Sequence, residues 1–171
     1  STRYPVRRIG TVRWKKEHQT KGLDIPEKER LEIYRKVVNF VDFLDVEIKS
    51  SIASDVVGLA VQNHKKAIAS YHNFSRTPSR EDLKRIYREG RRLHPDIIKV
   101  ATLVRSKKEL LTLLDFTYRY AGRFPLVVIP MGVPVLERLM PLPFGSLFTY
   151  VSLDKMTAPG QISYRVLERI F

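Results

Sequence analysis

The sequence predicts an α/β fold in which a parallel sheet is covered by helices. Short β-branched or apolar runs, each short enough for a strand, alternate along the chain with helical patterns. Successive runs are separated by enough residues for the helical crossover connection that joins parallel strands. Either a doubly wound sheet or a closed (β/α) barrel satisfies this order, and in both the functional site lies at the carboxyl ends of the strands. No Gly-x-Gly-x-x-Gly sequence follows a predicted strand, which argues against a dinucleotide-binding version.

Strand and helix signals place the individual elements. Pro26, at a favoured first helical position, and the acids after it predict a helix over 26–40. A capping box from Ser106 to Glu109, with Gly122 as a stop signal, predicts a helix over 106–122. Further helices are predicted to begin at Thr77–Pro78 and to cover 53–65 and 162–171. The predicted strands are 6–13, 43–48, 67–71, 97–103, 126–131 and 147–152.

The composition is that of one soluble globular domain. The chain has 171 residues, of which 43% are hydrophobic and 29% are charged. No apolar run approaches the roughly 18 residues of a membrane helix, and the first residues lack the apolar region of a secretory signal, so we expect a cytoplasmic protein without a membrane partner. The chain has no cysteine, and its 4 histidines lack metal-ligand spacing such as H-E-x-x-H. We therefore expect no metal site.

The chain is strongly basic. Lys and Arg number 31 against 18 Asp and Glu, a formal net charge of +13 that would attract nucleic acid, anionic lipid or a small anionic substrate. The basic residues are spread along the chain without a dense tract. We interpret them mainly as solvated helix faces and keep nucleic-acid binding as a minority hypothesis.

Lys99 is the first candidate for chemistry. It lies in the middle of 97–103, a run that is apolar on both predicted faces. The ordinary interpretation of a strand lysine is an edge residue whose amine reaches water. Because a run that is apolar on both faces is typical of a central parallel strand, we instead expect burial, which lowers the pKa of an amine. A lysine that is neutral near pH 7 can attack a carbonyl and form a Schiff base.

Two other strands carry polar residues that could share a site with this lysine. His72 follows the predicted strand 67–71, although a hydrogen-bonded core or loop residue is the ordinary interpretation of a lone histidine. Alternation places Asp45 and Glu47 on one face of 43–48, and a buried acid needs a partner such as a histidine or lysine from a neighbouring strand end. A carboxylate, an imidazole and an amine on successive strands indicate proton transfer around an imine, and thus an enzyme.

Several motifs carry a resemblance to a known family. The most specific are Ser70-Tyr71-His72-Asn73-Phe74, Ile98-Lys99-Val100-Ala101, Gly145-Ser146-Leu147-Phe148-Thr149-Tyr150 and Ala158-Pro159-Gly160-Gln161. Earlier segments that fit the same pattern are Thr11-Val12-Arg13 with Lys16-Glu17, and Asp45-Val46-Glu47. In identity, order and spacing these motifs resemble the type I 3-dehydroquinate dehydratases of the shikimate pathway, over most of the chain.

The resemblance implies a (β/α)8 TIM barrel and the dehydration of 3-dehydroquinate to 3-dehydroshikimate without a cofactor. Lys99 would form a Schiff base with the ring ketone, and the iminium would acidify the neighbouring carbon. His72 would remove the proton there and return a proton to the departing hydroxyl. Glu47 would orient and charge the imidazole. The family also implies a homodimer.

The resemblance further implies a set of substrate contacts. Arg138 would pair with the substrate carboxylate, and Arg13 would hold the polar side of the ring. Gln161, with Thr157 or Ala158, would lie on a lid that closes over the substrate. Met131 and Phe74 would pack against the ring. Without the resemblance, Arg138 would be interpreted as a surface arginine, Met131 and Phe74 as core residues, and the Thr157 to Gln161 segment as a turn.

The sequence departs from the family pattern in three places. It resembles only the third to eighth β/α units, so we expect that 1–171 form a single barrel domain whose first two units lie in upstream residues; the alternatives are a second chain that supplies them or a natural reduced form. The spacing from Met131 to Arg138 is one residue shorter than usual, with Glu137 beside the arginine. Glu17-His18-Gln19 replaces the common E-G-G, and Thr157 replaces a frequent serine.

Two other functions compete with this one. A class I aldolase would use the same lysine on a different ketone, although the Ala-Pro-Gly-Gln ending and the histidine motif argue against it. A catalytically silent member of the family would bind nucleic acid or another anionic partner through its basic surface, with an affinity that falls steeply as salt rises.

Overall fold

A computed structural model describes residues 6–14, 25–153 and 161–168. The strands are β1 (Ile9–Thr11), β2 (Phe43–Glu47), β3 (Lys66–Asn73), β4 (Ile97–Leu103), β5 (Leu126–Met131), β6 (Val151–Ser152) and β7 (Ile162–Ser163). The helices are α1 (Glu27–Val37), α2 (Ala53–Gln62), α3 (Arg80–Arg92), α4 (Lys107–Ala121), α5 (Val135–Leu139) and α6 (Tyr164–Leu167).

The predicted α/β architecture with a parallel sheet is confirmed. Strands β1 to β5 form one sheet in chain order, and every neighbouring pair is parallel. Strands β6 and β7 form a second parallel pair. Because helices separate the strands from β1 to β5, the carboxyl ends of these strands meet at one edge of the sheet.

The predicted helix starts are close to the observed ones. The Ser106 hydroxyl accepts a hydrogen bond from the Glu109 amide at 3.2 Å, and α4 begins at Lys107. The Ser79 hydroxyl caps α3 in the same way, accepting from the Asp82 amide at 3.1 Å. Helix α1 starts directly after Pro26 and passes into a short 3-10 helix, Val38–Phe40.

Three predicted elements differ from the structure. Strand β3 continues to Asn73, so His72 lies inside the strand, paired with Ala101, rather than after it. The predicted strand 147–152 is wrong except at Val151–Ser152, because the Ser146 side chain, instead of a backbone carbonyl, accepts the Val128 amide at 3.0 Å. The predicted helix 162–171 is strand β7 followed by α6, and 169–171 lie outside the described residues.

The two faces of the sheet have different partners. Outward residues such as Leu44, Val46, Ile98 and Val128 are buried against the helices. The inward residues form layers across the strands, since paired residues of parallel strands point to the same side. One layer contains Glu47, Ser70, Lys99 and Val127, and the next, towards the carboxyl ends, contains His72, Ala101 and Ile129. The inner face therefore brings an acid, a lysine and a histidine together.

In the described part of the chain, the structure contains no helix that is both long and apolar enough to cross a membrane.

Candidate active site

Lys99 lies at the centre of the inner face. Its side chain comes from β4, between β3 and β5, and the residue is 3% exposed. Its Nζ donates to the Asp45 carboxylate, and it lies 4.9 Å from the centroid of the Tyr150 ring. Burial lowers the pKa of Lys99 below that of an ordinary lysine, while the negative charge of Asp45 opposes this shift. The expectation of a buried lysine on a central strand is confirmed.

Asp45 is the ionic partner of this lysine. It lies on β2 and is buried, and it accepts a hydrogen bond from the Ser70 hydroxyl at 2.7 Å. Arg13 Nη1 lies 3.5 Å from the same carboxylate. Burial raises the pKa of Asp45, but the opposite charges of Lys99 and Arg13 outweigh burial and hold the pKa well below its usual range. Asp45 is therefore a fixed negative charge beside the Lys99 amine.

Glu47 is held by two arginines and a backbone amide. Arg30 Nη2 lies 2.5 Å from Oε2, and Arg13 Nη1 lies 2.9 Å from Oε1. The Trp14 amide donates to Oε1 at 2.9 Å. Both carboxylate oxygens of this fully buried residue thus have cationic donors, which offset the free energy that burying an acid costs.

His72 lies one layer closer to the carboxyl ends and contacts Arg13. Arg13 Nη1 is 3.3 Å from His72 Nδ1 and 3.1 Å from the Ser70 hydroxyl. An arginine has donors only, so Nδ1 accepts in this contact. Arg13 therefore connects Glu47 to the imidazole, whereas the sequence predicted that Glu47 itself orients His72; that role of Glu47 stays a prediction.

Arg13 carries a secure positive charge. Burial lowers its pKa, but the charges of Asp45 and Glu47 outweigh burial, and the resulting pKa is raised. Three cations, Lys99, Arg13 and Arg30, thus surround the two acids. This charge balance lets the cluster be buried and suits the site to an anionic ligand.

Arg138 lies on α5 and is 2% exposed, so its interpretation as a surface arginine is wrong. Its Nη1 donates to the Pro130 carbonyl at 3.3 Å, and burial lowers its pKa to about 10. The turn before α5 needs Gly132, whose φ is +74° and whose missing Cβ would lie 2.7 Å from Leu103 Cδ1. Because this turn packs against Leu103 of β4, the Arg138 side chain returns to the carboxyl end of β5.

Of the remaining predicted contact residues, some lie on the inner face of the sheet and others lie outside the described residues. Met131 is buried in an apolar cluster on the inner face, and the half-buried Phe74 packs against this cluster. The Phe74 ring stacks on His72 with centroids 6.3 Å apart, which brings it to the site. Gln161 is half-buried just before β7. Thr157, Ala158 and Glu17 lie outside the described residues.

A comparison with known protein families identifies the family of the chain. A model of the family described as Type I 3-dehydroquinase matches residues 1–171 of the chain. The chain belongs to the type I 3-dehydroquinase family.

Named relatives agree with the family. The 3-dehydroquinate dehydratase of Thermodesulfovibrio yellowstonii is 41% identical over 145 residues, which cover 84% of this chain and 64% of that protein. The enzyme of the same name from Thermococcus onnurineus is 36% identical over 145 residues, which cover 84% of this chain and 66% of that protein. The chain thus spans about two thirds of the length of these relatives.

Solved structures agree in fold. The type I 3-dehydroquinate dehydratase of Clostridium difficile, solved with covalently modified comenic acid, superimposes with a TM-score of 0.83 at 28% identity and covers 95% of this chain and 66% of that one. The 3-dehydroquinate dehydratase of Aquifex aeolicus gives a TM-score of 0.79 at 30% identity, covering 95% of this chain and 71% of that one. These type I 3-dehydroquinases have the TIM-barrel fold, and the parallel strands and alternating helices of this chain are consistent with part of that barrel.

Several residues of this type I 3-dehydroquinase site were missed by sequence reasoning. Asp45 was placed on the correct face as an acid that needs a histidine or lysine partner, but it was not named as a site residue; Ser70 shares that face by alternation with His72. Arg30 and Tyr34 belong to α1, four residues apart, which places them on one helix face. The only sequence signal for that pair was helical spacing, because a long polar side chain on a helix normally points to solvent.

Metal-ligating groups do not cluster in this member of the family as far as the structure describes it. Within residues 6–14, 25–153 and 161–168, no three His, Asp or Glu side chains are arranged to hold a metal ion.

Proposed function

We propose that the chain is the catalytic part of a 3-dehydroquinate dehydratase, which converts 3-dehydroquinate to 3-dehydroshikimate and water through a Schiff base on Lys99. The observation that carries this proposal is the buried Lys99 amine, paired with Asp45 in the middle of the inner face. The names of the relatives and the covalent ligand of the Clostridium difficile enzyme support it.

The first step is the formation of the imine. The uncharged Lys99 amine attacks the ring ketone, and loss of water from the resulting carbinolamine leaves a protonated imine. Asp45 lies against the same nitrogen, so its negative charge is in place to stabilise the positive iminium. Burial favours both the uncharged amine that attacks and the strength of this later interaction.

The second step removes water from the ring. The iminium withdraws electrons from the neighbouring carbon, and His72 takes the proton there. The electrons form the carbon–carbon double bond, and the hydroxyl on the next carbon leaves as water with a proton returned by the same imidazole. Hydrolysis of the imine releases the product and restores Lys99, so no redox partner is needed.

Two arginines would orient the substrate. Arg138 is desolvated at the carboxyl end of β5, where a substrate carboxylate would restore the lost solvation of the guanidinium. Arg13, which already touches His72, would hold the polar side of the ring. Met131 and Phe74 would pack against the apolar part of the ring, and Gln161 with Thr157 would belong to the lid.

We also propose, from the family alone, a cytoplasmic homodimer in which 1–171 supply the third to eighth units of one barrel domain. Light scattering of the purified full chain tests the dimer: a monomeric mass would overturn it.

The deciding experiment is to trap the imine. The full chain is incubated with 3-dehydroquinate or 3-dehydroshikimate, with and without borohydride, and its intact mass is measured. We expect a single adduct that maps to Lys99, and none in the Lys99→Ala variant. A folded protein without an adduct and without dehydratase activity would overturn the proposal. Cleavage of carbon–carbon bonds in test substrates would favour an aldolase instead, and salt-sensitive oligonucleotide binding would favour the nucleic-acid hypothesis.

A further inference from the structure

Arg30 is a buried arginine that the proposed chemistry does not use. It comes from α1 and is 1% exposed. Its Nε and Nη2 donate to the Val12 carbonyl at 3.0 and 2.6 Å, and Nη2 also contacts Glu47 Oε2 at 2.5 Å. Its Nη1 contacts Glu27 Oε2 at 2.7 Å and the Ser50 hydroxyl at 3.4 Å. One side chain thus joins α1, the segment after β1, the end of β2 and the turn that follows it.

The planar guanidinium fixes these partners relative to one another. Its donors project in a rigid fork, so an acceptor bound by two of them is held in direction as well as in distance. Here the doubly bound acceptor is the Val12 carbonyl, in the peptide group that links Val12 to Arg13. The backbone position of Arg13 is therefore set relative to the carboxylate of Glu47.

A second side chain of α1 also fixes the position of Val12 relative to β2. The Tyr34 hydroxyl accepts a hydrogen bond from the Val12 amide at 3.1 Å and donates to the Asp45 carbonyl at 2.7 Å. Burial raises the pKa of Tyr34 to about 12, so the phenol keeps the proton it donates. Helix α1 thus holds both polar groups of Val12 against β2.

The fixed backbone at Val12 determines the contacts of one nitrogen of Arg13. Arg13 Nη1 lies within 3.5 Å of Asp45, Glu47, Ser70 and His72, so a small rotation of its backbone would change its distance to all four. Arg30 occupies Glu47 Oε2, which leaves Oε1 to Arg13 and the Trp14 amide. Without Arg30, Glu47 would have an unpaired buried oxygen that competes for Arg13.

We propose that Arg30 is a positioning residue which, through the Val12 carbonyl and Glu47, holds the Arg13 guanidinium at the site and so sets the affinity for the anionic substrate. This rests on the proposed function, in which Arg13 contacts the ring. Arg30 itself touches neither the substrate nor the reacting atoms.

The first test is Arg30→Lys in the full chain. Lysine keeps the positive charge beside Glu47 but cannot bind the Val12 carbonyl with two donors. We expect a KM about tenfold higher, the effect of one hydrogen bond to a charged group, with a smaller change in kcat. Arg35→Lys is the matched control on the same helix, because Arg35 is exposed and pairs with Glu32, and it should leave KM and kcat unchanged. A folded Arg30→Lys variant with the wild-type KM would overturn the proposal.

A double variant separates positioning from a general effect on the fold. If Arg30 acts through Arg13, the KM of Arg13→Lys/Arg30→Lys equals that of Arg13→Lys alone. Multiplied effects would mean that Arg30 acts elsewhere, and would overturn the proposal. Should Arg30→Lys fail to fold, Glu27→Gln loosens Arg30 from its outer end and should raise KM in the same direction, by about threefold; an unchanged KM counts against the proposal.

A structural readout keeps this test independent of the dehydratase activity. If the wild-type protein forms no adduct with either compound, the proposed function fails, but crystal structures of the wild type and Arg30→Lys still compare the place of Arg13. We expect Arg13 Nη1 to leave His72 Nδ1 in the variant. An unmoved Arg13 would overturn the positioning role whatever the activity of the protein.

Discussion

The two ends of the sheet carry charge in opposite ways. Towards the carboxyl ends, from the middle of the inner face, Asp45, Glu47 and Lys99 are buried and paired with one another or with arginines. At the amino ends, the basic residues occupy the last turns of helices and the turns before strands and are exposed or half-buried; they include Arg35, Lys36, Lys65, Lys66, Arg91 and Arg92. The net charge of +13 thus does not describe the site, which contains only a few charges and nearly as many acids as bases.

The buried and exposed charges differ because water hydrates and screens only the exposed ones. An exposed cation is screened by water and salt, and at a helix carboxyl terminus it gains only a few tenths of a kcal/mol to about 1 kcal/mol from the helix dipole. A buried ion loses several kcal/mol of hydration unless its partners replace the water. A buried cluster of this kind therefore survives only with nearly complete pairing, and it responds strongly to the loss of one member. Substitutions at the two ends should differ accordingly.

The largest effect is expected for Lys99→Ala. Removing the amine removes the covalent step, and by comparison with other nucleophiles turnover should fall by about a thousandfold or more. The substrate should still bind, because Arg13 and Arg138 remain. Steady-state kinetics and a binding titration measure the two effects separately.

Lys108→Ala is the matched control, since Lys108 is an exposed lysine in the first turn of α4. It should keep full activity. A Lys99→Ala variant with normal turnover would remove Lys99 from the mechanism and would make the buried pair with Asp45 a structural feature.

Glu47→Gln should have the next largest effect, on stability. The substitution removes the negative charge between Arg13 and Arg30 and leaves a half-buried and a buried cation without their common acid. Breaking a buried pair in this way lowers the free energy of unfolding by about 3–5 kcal/mol. Denaturant unfolding of the variant measures the loss. Glu32→Gln breaks the exposed pair with Arg35 and is the control, expected to cost less than about 1 kcal/mol. Equal losses in the two variants would contradict the contrast between buried and exposed charge.

Sequence reasoning placed Glu47 and Lys99 on their strand faces and grouped them with His72, but it did not predict the arginines that contact them. Alternation in 43–48 and 97–103 was sufficient to place Glu47 and Lys99, because the period of a strand is two whatever surrounds it. The contact of Arg13 with Glu47 joins residues 34 apart in the chain, and no local period reports such a pair. Arg30 was missed for the same reason: helical spacing shows that it shares a face with Tyr34, but not that the face lies over β2.

Strand ends were the least predictable part of the fold. The strand predicted over 67–71 ends at Tyr71 because polar residues follow, but β3 continues to Asn73. Polar residues at the carboxyl end of a parallel strand are where function is located, so the loss of apolar character marked the site and not the end of pairing. In 147–152 the error was the opposite one, since aromatic and β-branched residues lie there without forming most of the predicted strand.

A smaller effect is expected in the pH dependence of imine formation. An ordinary lysine has a pKa near 10.4, so only about 0.1% of it is uncharged near pH 7.4, and each unit by which the pKa falls raises that fraction tenfold. Because burial lowers the pKa of Lys99, the rate of adduct formation should rise with pH and reach its midpoint below that of an ordinary lysine. Borohydride trapping at a series of pH values measures the midpoint, with acetylation of exposed lysines in the same protein as the reference. A midpoint at or above the reference would mean that Asp45 outweighs burial at this site.

The smallest effect is expected at the amino ends, for Lys65→Gln combined with Lys66→Gln. Lys65 directly precedes β3, and Lys66 occupies the first position of that strand, far along the strand from His72 near its carboxyl end. Losing two positive charges in water should change the free energy of unfolding by less than about 0.5 kcal/mol per site, with kcat and KM unchanged at physiological salt. At low salt, KM for the anionic substrate should rise slightly, because the long-range attraction weakens with the total charge. A large loss of activity at physiological salt would show that the exposed charge reaches the site after all, and that the two ends of the sheet are not independent.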